Sequence, residues 1–295
     1  MKDVVVFGGS GFLGSYVVEE LARREYNVLI ADTKDPPPAL SGFEYVQCDV
    51  MNVEEVERAV SGRSFVYNFA GFANLDASID RPRETIEKNV IGTINVLEAC
   101  KSSKLKRFIY ASSAYALSTK GSFYGISKFA SEKIVEEYQS RYAIPFTIVR
   151  YGSLYGERAN SDNAIYRWIC QAHHEGKIVH GGNGEEVREY IHASDAATLS
   201  VDVLADPSFE NRHILLTGVE RLQQKEILYM IQEIFNNQIS IEFTGEKREG
   251  HYLTTPYSLN PSVAKKLVLN RYVDLGQGLL EYAKHMYATD VTGEN

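Results

Sequence analysis

The run Val4-Val5-Val6-Phe7, cut off by Gly8-Gly9-Ser10-Gly11-Phe12-Leu13-Gly14, constrains the chain more than any other stretch. Consecutive apolar residues without alternation describe a strand buried on both faces, as in a parallel sheet. Beyond the glycines, Val17, Val18, Leu21 and Ala22 recur at helical spacing. A strand, a glycine turn and a helix in that order form a phosphate-binding unit. The glycines permit a tight turn and close backbone approach, while the helix N-terminus presents free amides to a pyrophosphate. Gly8, Gly11, Phe12, Leu13 and Gly14 are the candidates to hold it.

The second strand, Asn27 to Ala31, closes with Asp32. An acid about twenty residues past such glycines meets an adenosine ribose. Its charge would repel a 2′-phosphate, so the cofactor expected is NAD rather than NADP. After an exposed loop through Pro36-Pro37-Pro38, Phe43 to Cys48 reads as a third strand, followed by Asp49-Val50 and a helix from near Val53 to Val60. Ser64 to Phe69 is a fourth strand ending at Ala70-Gly71, small residues where backbone can pass close to a ligand. A helix follows from about Pro82 to Ser102, with Ile86, Val90, Ile94 and Leu97 on one face and Asn89 as a candidate to line the cofactor site. Lys106 to Ala111 is a fifth strand and Pro145 to Val149 a sixth.

This alternation predicts an α/β fold, a Rossmann-type doubly wound parallel sheet. After Arg150 the regularity lapses into the loop 151–156. A helix is expected over Ala164 to Glu175, a strand over Val187 to His192, a helix from Ser194-Asp195 and a strand over His213 to Leu216. The remainder reads as a helix (Lys225 to Phe235), a strand (Ile239 to Phe243) and C-terminal helices from about Ser262 to Tyr287. The expected division is a cofactor domain over 1–155, to which about 190–218 returns, and a smaller irregular α/β C-terminal substrate lobe over 156–189 and 219–295.

The fifth strand delivers Ser112 and Ser113 at its carboxyl end, where open parallel sheets place their ligands. The next helix carries Tyr124-Gly125-Ile126-Ser127-Lys128. Four positions apart on a helix, a phenol and an ammonium point the same way. A tyrosine, with a reference pKa near ~10, becomes a usable base only when a nearby cation stabilises its phenolate.

The formal net charge of −8 and the absence of any basic run argue against a nucleic-acid partner. Cys48, Cys100 and Cys170 show no metal-ligand spacing, and no metal is expected. With no leader pattern and no stretch long enough to span a bilayer, the protein is expected to be cytoplasmic, without a membrane partner.

Four segments in order carry a resemblance: Gly8 to Gly14, Tyr124 to Lys128, Arg150 to Gly156, and Arg188-Glu189-Tyr190-Ile191-His192-Ala193-Ser194-Asp195. Together they resemble the extended short-chain dehydrogenases, the NAD-dependent epimerases and dehydratases of nucleotide sugars. The resemblance covers nearly the whole chain. It implies that Tyr124 is the catalytic base, that Lys128 holds the nicotinamide ribose and that Ser113 hydrogen-bonds the reacting sugar oxygen. It further implies that Asp49 and Val50 meet the adenine, and that Phe69, Ala70, Gly71, Asn89, Ala111 and Tyr151 line the cofactor. Arg188 would grip the sugar nucleotide's diphosphate, with Ser112 and Ser153 beside the substrate, while His192 and Asp195 hold the loop in place. Helices over Arg83 to Ser102 and Phe123 to Arg141 would pair with those of a second subunit, as a homodimer built on a four-helix bundle.

Three departures stand out. Where the dehydratases follow the Ser113 position with an acidic pair, this chain has Ala114-Tyr115, which disfavours 4,6-dehydration. Only eleven positions separate Ser113 from Tyr124, a trimmed approach to the sugar. Ser153 replaces the family's asparagine, for which Asn163 is a candidate substitute. The expected activity is hydride transfer at C4 of a nucleotide sugar, with 4-epimerase favoured. A 4-dehydrogenase releasing the ketone is the alternative, and an inactive dinucleotide-binding sensor the reading from another class.

Overall fold

In the computed structural model, residues 2–246, 250–254 and 265–292 are described. The first half alternates as its apolar pattern requires. In chain order come β1 (Asp3–Phe7), α1 (Phe12–Arg23), β2 (Asn27–Asp32), β3 (Glu44–Gln47), α2 (Val53–Val60), β4 (Phe65–Asn68), α3 (Leu75–Asp80), α4 (Pro82–Ile86) and α5 (Gly92–Lys101). β5 (Arg107–Ser113), α6 (Ser122–Tyr142) and β6 (Phe146–Tyr151) complete this half. The second half holds β7 (Ser153–Tyr155), α7 (Ala164–Glu175), β8 (Lys177–His180), β9 (Val187–Arg188), β10 (Tyr190–His192), α8 (Ala193–Ala205) and β11 (Arg212–Leu216). It ends with β12 (Leu222–Gln223), α9 (Gln224–Ile234), β13 (Ser240–Phe243), β14 (Lys265–Leu267) and α10 (Leu275–Thr292).

Eight strands form one sheet in the order β14-β11-β6-β5-β4-β1-β2-β3, and every pairing in it is parallel. Helices cover both faces. Val4, Val6, Val17, Val18, Leu21, Ile109, Val149 and the α8 residues Ala197 and Leu199 pack on one side. Val5, Phe7, Val56, Val66, Leu97, Phe108 and Ile148 pack on the other. The strand order reverses between β1 and β4, so a crevice opens at their carboxyl ends, the place where such sheets bind ligands. A separate core of Trp168, Ile169, Ile178, Ile227, Leu228, Ile231 and Leu279 is built by the second half of the chain.

Four expectations are corrected. The helix over 82–102 is interrupted by a π turn, Glu87–Ile91, and its buried face is Thr85, Asn89, Thr93, Val96, Leu97 and Cys100. Of the four residues expected on one face, only Leu97 is fully covered; Ile86, Val90 and Ile94 remain half-buried. One extra residue per turn rotates Asn89 inward, a distortion common near functional sites. The loop 151–156 contains β7, because β10 pairs with it. Val187 to His192 splits at Glu189 into β9, which pairs antiparallel with β12, and β10. Lys265 to Leu267, expected as helix, is strand at the sheet edge beside β11; the expected helical residues 262–264 lie outside the described residues.

Candidate active site

The glycine turn is shaped by what a side chain would hit. A Cβ on Gly14 would lie 2.1 Å from the Gly8 carbonyl oxygen, and one on Gly8, at φ +76°, 2.7 Å from the Ala70 amide nitrogen. The turn therefore folds against both its own helix and the exit of β4. It brings the first-turn amides of α1, at Phe12, Leu13 and Gly14, to the crevice without intrahelical partners. Asp32 closes the far side. One carboxylate oxygen accepts from the Ser10 amide at 3.0 Å and the other from the Lys34 amide at 3.1 Å. A cradle that only glycine fits, unpaired amides and an acid at the ribose position together suit a dinucleotide.

Further along this groove, the Asp49 carboxylate accepts from the Met51 amide at 2.9 Å and Val50 is buried. Phe69 stacks on Tyr67, with ring centroids 5.8 Å apart. Asn89 lies behind the groove rather than in it. Its oxygen accepts from the Phe72 amide at 2.6 Å, and its nitrogen donates to the Phe72 carbonyl and to Ser127 Oγ. It clamps the chain just after Gly71, where a Cβ would lie 2.4 Å from its oxygen.

Tyr124 and Lys128 face the crevice from α6. Lys128 is 6% exposed, and its ammonium donates to the Ala111 carbonyl at 2.9 Å and lies 5.1 Å above the Tyr110 ring. Burial pushes it down to about 8, opposed by Glu132 one turn away. Burial raises the Tyr124 phenol, while a hydrogen bond with Ser113 lowers it. Ser113 Oγ also accepts from the Tyr115 amide at 3.2 Å. The phenol, the hydroxyl and the ammonium are thus gathered at the carboxyl end of β5.

Ser112 faces the other way. Its hydroxyl donates to Glu132 at 2.5 Å, and Glu132 in turn takes two bonds from Arg150 at 2.8 and 2.7 Å. In this buried pair Ser112 is beneath the site, not on the substrate side as expected, because side chains alternate along a strand. Tyr151 lines the cavity beside Ser113 and Tyr124, while its hydroxyl pairs with Ser200 Oγ at 2.7 Å.

A cavity of about 240 Å³ is lined by Ser113, Tyr124, Ser153, Asn163 and Arg188 among others. The Arg188 guanidinium sits 4.1 Å over the Tyr252 ring. Asn163 caps α7, its oxygen accepting from Ile165 and Tyr166 at 3.0 and 3.2 Å, and its nitrogen donates to the Leu154 carbonyl. That leaves it a builder of the wall, with little capacity for a further ligand.

Sequence reasoning missed Asp76, Tyr115, Gln224, His251 and Tyr252, which also line the cavity. Gln224 is 4% exposed, and its amide oxygen has no hydrogen-bond partner among the described residues. These residues come from the first turns of α3 and α9, from the turn after β5 and from a strap over 250–254; only a structure brings them together. His192 caps α8, accepting from the Ser194 amide, and Asp195 accepts from the Val273 amide at 2.8 Å. Both hold loops, as expected. Among the described residues no group of His, Cys, Asp and Glu is arranged to hold a metal, and no helix is long and apolar enough to cross a membrane.

Residues 4–216 match the family described as NAD dependent epimerase/dehydratase. A putative UDP-glucose 4-epimerase of Methanocaldococcus jannaschii is 26% identical over 223 residues, 68% of this chain and 73% of that protein. A dTDP-D-glucose 4,6-dehydratase of Mus musculus is 27% identical over 229 residues, 69% of this chain and 64% of that protein. Among solved structures, the UDP-glucuronic acid 4-epimerase of Bacillus cereus, in complex with UDP-glucuronic acid and NAD, superposes with a TM-score of 0.83. It is 24% identical, over 97% of this chain and 100% of that one.

Proposed function

Because the chain belongs to the NAD-dependent epimerase/dehydratase family, we propose that it oxidises a secondary alcohol of a nucleotide sugar, at C4, and returns the hydride to the opposite face. The observation that carries this reading is the convergence of Tyr124, Ser113 and Lys128 at one end of a cavity whose other wall holds Arg188. The glycine turn and Asp32 would hold NAD, which would supply the hydride acceptor.

In this reading Tyr124 takes the proton of the sugar hydroxyl as the carbon–hydrogen bond is broken, and Ser113 hydrogen-bonds the same oxygen. Lys128 stabilises the phenolate through its charge and would hold the nicotinamide ribose of the bound cofactor. Its anchor on the Ala111 carbonyl fixes where that charge sits. Arg188, over the Tyr252 ring, offers a planar fork to the diphosphate, and Ser153 lines the same cavity.

The relatives include dehydratases as well as epimerases. Ala114-Tyr115 stands where dehydratases carry their acidic pair, which favours the epimerase; the 4-dehydrogenase is the second reading, since its oxidation needs the same residues. The protein is read as a cytoplasmic homodimer. Ile91, Phe123, Ile126 and Phe129 are exposed along the helices expected to pair, and a second subunit would cover them.

Product analysis after incubation with UDP-, dTDP- and CDP-hexoses tests the reaction. Unchanged mass with inverted C4 supports the epimerase. Loss of two hydrogens with NADH accumulation would replace it by the dehydrogenase, and loss of water by a dehydratase.

A further inference from the structure

Three residues that the proposed reaction does not use form a hydrogen-bonded chain into the sugar cavity. Tyr115, on the turn after Ser113, places its hydroxyl 3.1 Å from His251 Nδ1. His251 Nε2 lies 2.8 Å from an Asp76 carboxylate oxygen, in the first turn of α3. A carboxylate only accepts, so Nε2 carries the proton and Nδ1 accepts from the phenol. The chain runs outward from the cavity. The His251 side chain is 13% exposed and that of Asp76 56% exposed, so Asp76 meets solvent.

The fold is built around this chain. Gly121, at φ +103°, leaves room for the Tyr115 ring: a Cβ there would lie 2.8 Å from Tyr115 Cδ1. The strap carrying His251 is pinned at both sides, with the Gly121 amide donating to the Gly250 carbonyl and the Val187 amide to the Leu253 carbonyl, each at 2.8 Å. Tyr115 packs edge-on against Tyr124 at 6.4 Å and at a tilt against Tyr252 at 4.6 Å, and Arg188 lies beyond Tyr252. All three members of the chain line the same cavity as Tyr124.

A hydroxyl within reach of a base that is itself oriented by a carboxylate is the arrangement that activates weak acids for proton transfer. We propose that Tyr115, aligned by His251 and Asp76, is a second proton-transfer group of this cavity and exchanges with solvent a hydrogen on the carbon next to a sugar carbonyl. As the Tyr115 oxygen takes that carbon's proton, its own proton moves to His251 Nδ1, giving an imidazolium held by Asp76. The electron pair of the broken C–H bond forms the enol double bond, and the carbonyl pair moves onto oxygen beside Tyr124 and Ser113. Reversal returns a proton that has equilibrated with water. No oxidant or reductant enters the step. Tyr115 would touch the substrate, whereas His251 and Asp76 are positioning residues.

The inference rests on the nucleotide-sugar reading for its class of ligand, so the test supplies the ketone ready-made. The full chain is incubated in deuterated water with a nucleotide-linked 4-ketohexose, and deuterium at C3 and C5 is followed by NMR. The wild type is expected to exchange one of these positions faster than the spontaneous rate. Tyr115→Phe is expected to slow this by about 100-fold while still binding NADH, and Asp76→Asn by a smaller factor. No enzyme-dependent exchange by the wild type, or equal exchange by both variants, overturns the proposal. If Tyr115→Phe does not bind NADH, Asp76→Asn decides: slowed exchange supports the relay, unchanged exchange overturns it. Failure here leaves the proposed oxidation standing, and failure of the product analysis above leaves this exchange to be judged by itself.

Discussion

The ammonium of Lys128 lies 5.9 Å from the centroid of the Tyr124 ring, one helical turn away on α6, and is tied to the Ala111 carbonyl of the neighbouring strand. The tie fixes a charge in a place where burial opposes it. Sites that hold a charge in this way lose stability for the sake of function.

That trade has a measurable sign. Lys128 is pushed down to about 8 from an ordinary 10.5, so below about pH 8 the folded protein holds a proton at a penalty of roughly 3 kcal/mol. Between the two values the unfolded chain binds the extra proton, and the penalty disappears as pH rises. Lys128→Met, which also loses the bond to Ala111, should therefore be more stable than wild type by about 1–2 kcal/mol at pH 7. The gain should vanish above the ordinary lysine value. Urea denaturation across this pH range checks it; a variant less stable at every pH would contradict the argument.

Asp32 accepts from the Ser10 and Lys34 amides, which hold it at the end of β2. Asp32→Asn should weaken NAD binding by about tenfold to 100-fold, the value of one or two hydrogen bonds to a charged group. NADP binding should weaken less or improve, because the charge that repels a 2′-phosphate is gone. Fluorescence titration with both reduced cofactors measures the ratio.

Ile126 is 59% exposed on α6, with Phe123 and Phe129 beside it. If a second subunit covers this face, Ile126→Glu should convert the dimer to a monomer with little change in the thermal transition of the isolated fold. Sedimentation equilibrium of both forms is the check, and a wild type that is monomeric removes the dimer.

Much of this was legible in the sequence because the first half obeys local rules. The run Val4 to Phe7 and the glycines after it leave no alternative to a buried strand and tight turn, and Tyr124 and Lys128 share a face by helical geometry alone. What was illegible depends on register and on distant partners. Ser112 and Ser113 look alike as letters, but alternation along β5 sends one to Glu132 and the other to the cavity. Asn89 looked like a ligand contact, and the π turn makes it a clamp on Phe72. Asp76 and His251 lie far apart in sequence, and only the strap joins them.

The central claim, that Tyr124 takes the hydroxyl proton during oxidation of a nucleotide sugar, is tested most directly by single-turnover reduction of bound NAD. NADH absorbance is followed after mixing wild type or Tyr124→Phe with the sugar nucleotide that gives product, and binding of that ligand is measured separately by calorimetry. The wild type should form NADH, and the variant should bind the ligand comparably but form NADH slower by about 100-fold to 10,000-fold. A variant that reduces NAD at the wild-type rate would contradict it.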